Sequence, residues 1–587
     1  MRSLKPMYSC TGPVSTTSTS AGSSCPPAAP TFLRAATFNT SGIVIYHTYL
    51  PRPDRPGRGP MQAPARGCQT AQVAPHLHAP ATLAHLLAHS VARAPDRTAL
   101  VFGGRETSYR ELGLRVAALA RELKQRVPRG GIVAAALANS PECVVTAFAA
   151  FAAGVRYAPL NPFYGRSELA TLFRAQAPDL IVHNRDSAAA ARALAEDTGG
   201  TALLELDATA PFEDDGGDAA GAILSVCPDL SPDEPALLIF TGGTTGLSKA
   251  VEHSHAGMVF SVRAHCTGWE LRYDVERILD VAPLFHIWGL GFSMLAPLYL
   301  ASTLILLPRY QPEQVLQQLQ RQRATVFAGG PAPIYAGLLA SPEFASTDLG
   351  HLTLALTGGS PCPQPLREAW MQKVGTPLLE GWGMSEGAPL VYNWRSRPQR
   401  PSSVGHPAPG IELRLVDVAD PSRPVPVGEP GEVCVRGPQV MRGYRLQENP
   451  AETGLDADGW LHSGDVGYLD ADGYLYLVDR MKEMILVGGY NVYPRQVEDH
   501  IRQYPDVADV AVVGIPDPYL GENPYAFVVA RRGGSVDVDA LLAWCQETLV
   551  KYKRPVGIQV LDELPRTGAN KLDKRRLREI LKATTSG

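Results

Sequence analysis

The sequence predicts an α/β protein with a large, multi-subdomain N-terminal α/β domain and a small α+β C-terminal domain. Helical and strand patterns alternate from about Ala81 onward, which is typical of α/β folds. After Asp479 the order changes to helix, strand, strand and helix within about 110 residues. A chain of 587 residues also fits more than one domain, because single hydrophobic cores stop growing near ~250–300 residues.

Apolar periodicity and turn residues predict the individual elements. In the N-terminal part they indicate a helix over 109–125, a strand over 132–137, a helix over 141–153 and a strand that ends at 159–162. A helix over 313–323 follows Pro312 and precedes a buried strand over 324–328. Residues 411–477 contain β-like segments separated by glycine and proline. The acidic residues of 213–218 indicate a solvated loop.

The apolar pattern after Asp479 predicts a separate C-terminal domain. Helices are expected over 496–503 and 538–550, with strands over 507–514 and 525–530. We therefore expect an N-terminal domain over 76–478 and a C-terminal domain over 479–587, joined near Asp479 and Arg480.

Residues 1–75 differ in composition from the rest of the chain. They are rich in Ser, Thr, Pro and Ala, with seven basic residues and Asp54 as the only acid. This composition predicts a disordered extension, or a start assigned too far upstream, with Met61 as the alternative. An acid-poor, Arg/Ser-containing terminus also occurs in organelle transit peptides. Since no amphipathic helix is evident, we treat targeting as the minor alternative.

Overall composition excludes several functional classes. The formal net charge of −4 gives no basic footprint for nucleic acid, and no apolar run approaches the ~18 residues of a membrane span. Nine cysteines stand singly, without a CxxC pair, and are typical of a reduced cytoplasmic protein. We expect small-molecule partners and no integral membrane segment. Whether the protein is a monomer or a homodimer stays open.

The segment 237–249, LLIFTGGTTGLSK, is the first indication of chemistry. An apolar strand runs into three glycines, several hydroxyl side chains and a lysine. Such a loop can bring backbone N–H groups and a positive charge to a phosphate. It is not a Walker A loop, which would need a glycine at Leu247 and a hydroxyl at Ala250. The alternative is an ordinary turn from a strand to a helix.

Further segments follow in order along the chain and together resemble one family. The protein is similar to adenylate-forming acyl-CoA synthetases, the fatty-acid and aryl-acid CoA ligases, over roughly residues 80 to 580. The segments that carry the resemblance are PLFHIWG at Pro283, TGGSPCP at Thr357, EGWGMSE at Glu380, GEVCVRGPQVMRGY at Gly431, GWLHSGD at Gly459, GYLYLVDRMKEMI at Gly473, GGYNVYPRQVE at Gly488 and PRTGANK at Pro565.

The resemblance implies a two-step reaction that uses ATP, Mg²⁺ and coenzyme A. A carboxylate attacks the α-phosphorus of ATP, pyrophosphate leaves, and the CoA thiol then attacks the acyl-AMP. Both partners of the first step are anions, so positive charge must offset their repulsion.

The 241–249 loop matches the family's phosphate-binding segment, and Glu386 matches its magnesium-associated carboxylate. Carboxylate oxygens are the hard ligands that Mg²⁺ prefers. Where this chain departs from the usual residues of the family, the replacements are small: Gly242 replaces a serine and Ala250 replaces a glycine. The phosphate-binding residues that the resemblance implies are Thr241, Gly242, Gly243, Thr244, Thr245, Gly246 and Lys249.

Two regions match the adenosine site of the family. Asp465 is expected on the ribose hydroxyls, because a carboxylate can accept from two vicinal hydroxyls, and Arg480 is expected to reach ribose or phosphate. Trp382 would offer its flat face to the adenine. The residues implied around the adenine are Gly358, Gly359, Ser360, Pro361, Glu380, Gly381, Trp382, Gly383 and Ser385.

In the C-terminal domain, Lys571 matches the lysine that meets the carboxylate and the α-phosphate during adenylation. Gly488, Gly489 and Tyr490 match a strand beside the pantetheine channel. The domain is accordingly expected to be mobile. A rotation about Asp479 would exchange Lys571 for that strand between the two steps.

Substrate choice is less determined by the sequence. His286 stands where relatives that activate amino acids have an aspartate, so an amino-acid substrate is disfavoured. His286 is either a gate at the carboxylate end of the acyl pocket or a packed core histidine. The apolar candidates for the pocket wall are Ile287, Trp288, Leu290, Phe292, Met294 and Ala388.

We expect a ligase for medium- or long-chain fatty acids. The alternatives are an aryl-acid CoA ligase, an acyl-AMP ligase that loads a carrier protein, and a non-catalytic nucleotide-binding relative. Lys249, Glu386, Asp465, Arg480 and Lys571 argue against the last.

Overall fold

The computed structural model describes most of the chain from residue 80 onward. The described residues are 80–587 without 163, 165, 167–168, 170–171, 174–175, 209, 211–215, 242–248, 446–453, 489, 532, 567–571 and 586–587. They also include the backbone of the strands Thr37–Phe38 and Val44–Ile45. These two strands pair with each other, and Val44 pairs with Leu413. The prediction of disorder for the rest of 1–75 lies outside the described residues.

The first sheet carries the proposed phosphate segment. Its strands pair in parallel from Pro235–Thr241 to Ala202–Glu205 and antiparallel at the other edge. In spatial order the strands are Gly443–Arg445, Lys249–Ser254, Pro235–Thr241, Arg156–Pro159, Ile132–Ala136, Leu180–His183 and Ala202–Glu205.

The second sheet has a parallel centre and antiparallel margins. Because ligands bind at the carboxyl ends of parallel strands, its ends at Gly330, Gly358 and Met384 belong to the candidate site. In spatial order the strands are His406–Pro407, Gly387–Tyr392, Leu378–Met384, Leu354–Gly358, Val326–Gly330, Arg277–Asp280, Thr303–Leu306, Thr98–Phe102 and Arg105–Ser108.

A third, antiparallel sheet leads into the C-terminal domain. The pair Thr37–Phe38 and Val44–Ile45 adds to the strands Glu412–Val416, Gly431–Arg436, Leu461–Leu469 and Leu475–Arg480. The fourth sheet lies wholly after Arg480 and consists of Tyr490–Val492, Ile485–Val487, Gly521–Ala530, Val507–Asp517 and Ile558–Leu561. It has its own buried core, built around Val497, Val512 and Val528. The small C-terminal domain is thereby confirmed as α+β.

The helices cover the faces of these sheets. The α-helices are Leu83–Arg93, Tyr109–Arg126, Pro141–Ala153, Ala188–Asp197, Ala219–Leu224, His255–Gly268, Leu295–Tyr299, Pro312–Arg321, Ala332–Ala340, Gln364–Val374, Pro494–Ile501, Val538–Thr548 and Lys574–Thr585. Short 3₁₀ turns lie at Pro342–Ser346, Met481–Glu483 and Lys551–Lys553, and a π-helix spans Trp288–Met294. No helix within the described ranges is long and apolar enough to cross a membrane.

Helix ends follow the local chemistry of the sequence. Pro141 begins a helix whose residues are all buried, and Gly154 ends it in the left-handed region at φ 71°, as expected for proline at the first turn and glycine just past the last. The predicted helix over 496–503 begins instead at Pro494 and ends at Ile501, because proline is favoured at a first helical position. The strand expected at 324–328 is Val326–Gly330, two residues later.

Candidate active site

The two ends of the phosphate segment lie in neighbouring strands of the first sheet. Pro235–Thr241 pairs antiparallel with Lys249–Ser254, and Thr241 lies opposite Lys249. The hydroxyl of Thr241 donates to the carbonyl oxygen of Lys249 over 3.4 Å. The alternative of a strand-to-helix turn is therefore wrong. Gly242, Gly243, Thr244, Thr245 and Gly246 lie outside the described residues, so their phosphate contacts stay a prediction.

Glu386 and Lys249 approach the same tyrosine. The hydroxyl of Tyr444 donates to Glu386 Oε1 over 2.7 Å, and Lys249 Nζ lies 4.5 Å from the centre of the Tyr444 ring. Strand Gly443–Arg445 pairs with Lys249–Ser254 and brings Tyr444 to this position. Lys249 and Glu386, which are 137 positions apart in the sequence, thus both contact the side chain of Tyr444.

The turn that carries Glu386 is fixed from two sides. Its carbonyl oxygen accepts from the Met441 amide over 2.7 Å. The preceding residue, Ser385, has its carbonyl oxygen 2.7 Å from His253 Nε2. A carbonyl can only accept, so Nε2 carries the proton, and burial lowers the pKa of His253. His253 is therefore a neutral donor that holds the turn in place.

Glu386 fits the role of a magnesium-associated carboxylate. Its side chain is buried at 8% exposure, and Tyr444 takes up only one of its two oxygens. The second oxygen is a hard anionic donor of the kind that Mg²⁺ binds together with phosphate oxygens.

Asp465 is buried and interacts with both Trp382 and the half-exposed Arg480. Trp382 Nε1 donates to its Oδ2 over 2.8 Å, and Arg480 Nε lies 3.0 Å from its Oδ1. Asp465 and Arg480 are direct cross-strand partners in the third sheet. Since each carboxylate oxygen has two lone pairs, both can still accept from ribose hydroxyls. Trp382 is thereby oriented by Asp465 as well as by its own strand.

The adenine segments lie side by side in the second sheet. Gly358 pairs with Gly381, and a Cβ on Gly358 would lie 2.9 Å from the Gly381 carbonyl oxygen. Gly359 follows at φ +78°, where a side chain would be strained. The Ser360 hydroxyl accepts from the Ala332 amide over 3.3 Å. Of the remaining predicted residues of this region, Gly383 lies within the strand Leu378–Met384, and Pro361 and Ser385 follow the ends of the two strands.

Glu380 is a structural partner of Arg367. Arg367 Nη2 donates to Glu380 Oε2 over 2.6 Å, and the Cys362 amide donates to Oε1 over 3.2 Å. Both side chains are about nine-tenths buried, at 10% and 9% exposure. Burial raises the pKa of Glu380, and Arg367 opposes this shift. The pair holds the 358–361 turn against the strand of Glu380.

We expect Arg367→Ala to lower the free energy of unfolding by about 3 kcal/mol or more, because it leaves a buried carboxylate without its ion partner. Denaturant unfolding measures the change. The double variant Arg367→Met with Glu380→Gln removes both charges and is expected to recover most of the loss. An Arg367→Ala variant as stable as the wild type would contradict this role.

The segment expected to form the acyl pocket divides into two groups. Leu290, Phe292 and Met294 are fully buried in the π-helix, whereas Ile287, Trp288 and Ala388 are only partly buried. The first three therefore belong to the core. His286 is partly buried, with its ring centre 4.7 Å from that of Phe285.

Gly488 and Tyr490, two of the residues expected beside the CoA channel, lie at the turn between two strands of the fourth sheet. Gly488 has φ +57°, its amide donates to the Leu520 carbonyl over 2.7 Å, and a Cβ there would lie 3.2 Å from Leu520 Cδ2. Tyr490 is exposed at 59% and stacks on Tyr552 with ring centres 4.5 Å apart. Gly489 and Lys571 lie outside the described residues.

The sequence did not single out Tyr444, Arg367 or Lys482. Burial lowers the pKa of Lys482, and Arg480 adds to that shift, while carboxylates including Asp465 and Glu386 oppose it. Lys482 therefore lies within electrostatic reach of both predicted carboxylates. The sequence feature that could have identified Lys482 is its position in the DRMKEM stretch, two residues after Arg480.

One other cluster has the composition of a metal site. Glu432, Cys434 and His462 bring their donor atoms within 4.8 Å of one another. Hydrogen bonds already account for the cluster, since Glu432 accepts from the Gly464 amide over 3.1 Å and lies 2.8 Å from His462 Nδ1. Burial also raises the pKa of the Cys434 thiol to about 12, which disfavours the thiolate that metals bind.

Comparison with known proteins agrees with this geometry. The model of the "AMP-binding enzyme" family matches residues 87–445, and that of the "AMP-binding enzyme C-terminal domain" matches residues 496–571. The chain is 37% identical to a feruloyl-CoA synthase of Amycolatopsis sp. over 82% of this chain and 96% of the relative. It is 31% identical to a long-chain-fatty-acid–CoA ligase of Bacillus subtilis (strain 168) over 85% and 94%.

A solved structure shares the fold. ATP-bound MatB from Rhodopseudomonas palustris superimposes with a TM-score of 0.76 at 28% identity, covering 85% of this chain and 99% of that chain. Family match, fold and site geometry lead to one conclusion: the chain belongs to the adenylate-forming, AMP-binding family of acyl-CoA synthetases, enzymes that use ATP, Mg²⁺ and CoA.

Proposed function

We propose that this enzyme activates a planar aryl acid with a phenolic hydroxyl, of the hydroxycinnamate class, to its acyl-AMP and then to its CoA thioester. The observation that carries the proposal is a cluster of rings behind the adenine turn that contains a buried indole N–H without a partner among the described residues, that of Trp269. The following contacts support it.

Trp288 packs against the backbone of the adenine turn. A Cβ on Gly358 would lie 2.6 Å from Trp288 Cζ3, and a Cβ on Gly330 would lie 3.9 Å from its Cδ1 and Nε1. The indole therefore lies along the backbone at the carboxyl ends of two parallel strands, where ligands of such sheets bind. The indole is only partly buried, and its free part offers an aromatic acid a face for stacking.

Buried rings close the space behind Trp288. The ring centre of Trp269 lies 6.1 Å from that of Trp288, and the ring centre of Phe292 lies 5.6 Å from it. Trp269, Phe292 and the neighbouring Tyr392 are fully buried. A long alkyl chain would have to displace these rings, at a cost typical of overpacking a core.

Two ring nitrogens in this cluster, one of Trp269 and one of His265, can form hydrogen bonds with a phenolic hydroxyl. Trp269 Nε1 is buried and has no hydrogen-bond partner among the described residues. His265 Nδ1 lies 3.0 Å from the Ser261 carbonyl, so it carries the proton, and burial lowers the pKa of His265 to about 3. Its Nε2 is then the unprotonated nitrogen, which can accept a hydrogen bond. A phenolic hydroxyl can accept from the indole N–H and donate to this nitrogen.

In the proposed reaction, each predicted site residue contacts a particular part of ATP or of the acid. Lys249 and the 241–249 loop hold the departing pyrophosphate, and Asp465 with Arg480 holds the ribose. Magnesium, held by Glu386, would neutralise phosphate charge as pyrophosphate leaves. Lys571 meets the carboxylate and α-phosphate, and His286 closes the carboxylate end of the pocket.

We also propose the domain boundaries 76–478 and 479–587, with rotation about Asp479 between the two steps. Asp479 accepts from the amides of Arg480 and Arg495, each over 2.7 Å. The rotation would exchange Lys571 for the Gly488–Gly489–Tyr490 strand, which would lie beside the pantetheine channel.

A fatty acid is the second candidate substrate, favoured by relatives named long-chain-fatty-acid–CoA ligases. Pyrophosphate release over C2–C18 fatty acids, benzoates, cinnamate and hydroxycinnamates decides between them. We expect 4-hydroxycinnamate to exceed cinnamate in kcat/KM by about tenfold, the effect of one satisfied buried hydrogen bond. Both should exceed every fatty acid. A dodecanoate or hexadecanoate rate above all aryl acids would contradict the proposal.

His265→Phe tests the same point within the site. It removes the acceptor but keeps a ring, so the preference for the hydroxylated acid should fall to about unity while the cinnamate rate changes little. His265→Gln, which keeps an acceptor, is the matched control. A preference unchanged in His265→Phe would contradict the assignment.

A further inference from the structure

We propose that Tyr444 is a positioning residue that couples the phosphate lysine to the magnesium carboxylate. Its hydroxyl orients Glu386, and its ring holds the Lys249 ammonium near the phosphates. The inference rests on the proposed roles of these two residues in adenylation.

The backbone fixes the ring of Tyr444 tightly. Tyr444 lies opposite Val251 in the pairing of Gly443–Arg445 with Lys249–Ser254. A Cβ on Gly454 would lie 2.6 Å from Tyr444 Cε2 and 2.8 Å from Met441 Cε. The ring is therefore packed directly against the backbone of Gly454. Its hydroxyl can reach only a narrow region, and Glu386 Oε1 occupies it at 2.7 Å.

The hydroxyl selects which carboxylate oxygen faces the metal. Glu386 Oε1 lies 2.7 Å from the Tyr444 hydroxyl, and because a carboxylate oxygen accepts, the hydroxyl is the donor. It can donate only one hydrogen bond. With Oε1 engaged, Oε2 is the oxygen presented to a cation, in a fixed orientation.

The Tyr444 ring contacts the Lys249 ammonium without neutralising its charge. Lys249 Nζ lies 4.5 Å from the ring centre, within the range of cation–π attraction. Among the described residues no ion pair of Lys249 is found. The nearby carboxylate of Glu252 is instead engaged by Arg156 at 2.8 Å, with Arg442 and Arg445 at 3.5 and 3.8 Å. The ammonium thus remains available to an incoming phosphate.

Two substitutions separate the two parts of Tyr444. Tyr444→Phe removes the hydroxyl and keeps the ring, whereas Tyr444→Leu removes both. Tyr476→Phe is the matched control, because the hydroxyl of Tyr476 also donates to a carboxylate, that of Asp470, over 3.2 Å in the third sheet. Thermal unfolding of all variants checks that the fold is retained.

The readout is binding of a non-hydrolysable ATP analogue, titrated with Mg²⁺, in the full-length protein. We expect Tyr444→Phe to raise the half-saturating Mg²⁺ concentration by about tenfold, the effect of one hydrogen bond to a charged group, while binding at saturating Mg²⁺ stays near wild type. Tyr444→Leu should show the same shift and also weaken binding at saturating Mg²⁺ by about threefold, the effect of an exposed cation–π contact.

Two results would overturn the inference. A half-saturating Mg²⁺ concentration in Tyr444→Phe equal to that of the wild type and Tyr476→Phe would remove the role of the hydroxyl. Equal binding by Tyr444→Phe and Tyr444→Leu at saturating Mg²⁺ would remove the role of the ring. The binding assay contains no acid substrate, so its outcome is distinct from failure of the proposed function, which absence of acid-dependent pyrophosphate release in the wild type would indicate.

Discussion

Glu386→Gln is expected to slow acid-dependent pyrophosphate release by about 100-fold or more, since a carboxylate–metal contact at a developing phosphate charge contributes about 3 kcal/mol to the transition state. Glutamine keeps the shape of the side chain and an acceptor for the Tyr444 hydroxyl, but removes the anionic oxygen. Stopped-flow or coupled pyrophosphate assays measure the change.

Glu412→Gln is the matched control for this substitution. Glu412 pairs with Arg436 at 2.8 Å on the third sheet, where both side chains are about one-third exposed. Its loss should leave the rate near wild type. If Glu386→Gln retained more than about half of the wild-type rate at limiting Mg²⁺, where an effect of ~3 kcal/mol must appear, Glu386 would not be the magnesium-associated carboxylate.

Lys571→Ala is expected to separate the two half-reactions. Adenylation should fall by about 100-fold or more, because an ammonium aimed at a developing charge contributes about 3 kcal/mol. CoA thioester formation from supplied acyl-AMP should remain near wild type, since Lys571 is proposed to have left the site by then. Single-turnover assays of each step provide the measurement.

The control for Lys571→Ala is Arg575→Ala, which removes a positive charge from the same end of the chain. The Arg575 side chain is 81% exposed, so both steps should be unchanged. Equal losses in the two half-reactions of Lys571→Ala would contradict the two-conformation account.

Much of the fold could be predicted because its signals are local. Residues 141–153 carry proline at the start, glycine just past the end and apolar residues on every side, and the observed helix has the predicted bounds. The α+β character of the last part was equally evident from its periodicity. Boundaries were less accurate where capping decided them, as at Pro494.

The candidate site was only partly predictable, because its contacts are long-range. The motif containing Glu386 gave its chemistry, but nothing local indicated that Tyr444 donates to it from another sheet. The hydrogen bond from Trp382 to Asp465 joins strands of two sheets, and sequence reasoning assigned Trp382 only a stacking face. The role of residues 290, 292 and 294 could not be predicted, because apolar residues have the same pattern whether they line a ligand or fill a core.

The most direct test of the account is an isotope-transfer measurement. The enzyme is supplied with ATP, Mg²⁺, CoA and 4-hydroxy-3-methoxycinnamate labelled with ¹⁸O in both carboxylate oxygens, and the products are analysed by mass spectrometry. Attack of the carboxylate on the α-phosphorus predicts AMP with a single ¹⁸O atom and unlabelled pyrophosphate. Label in released phosphate or pyrophosphate, or turnover with unlabelled AMP, would contradict it.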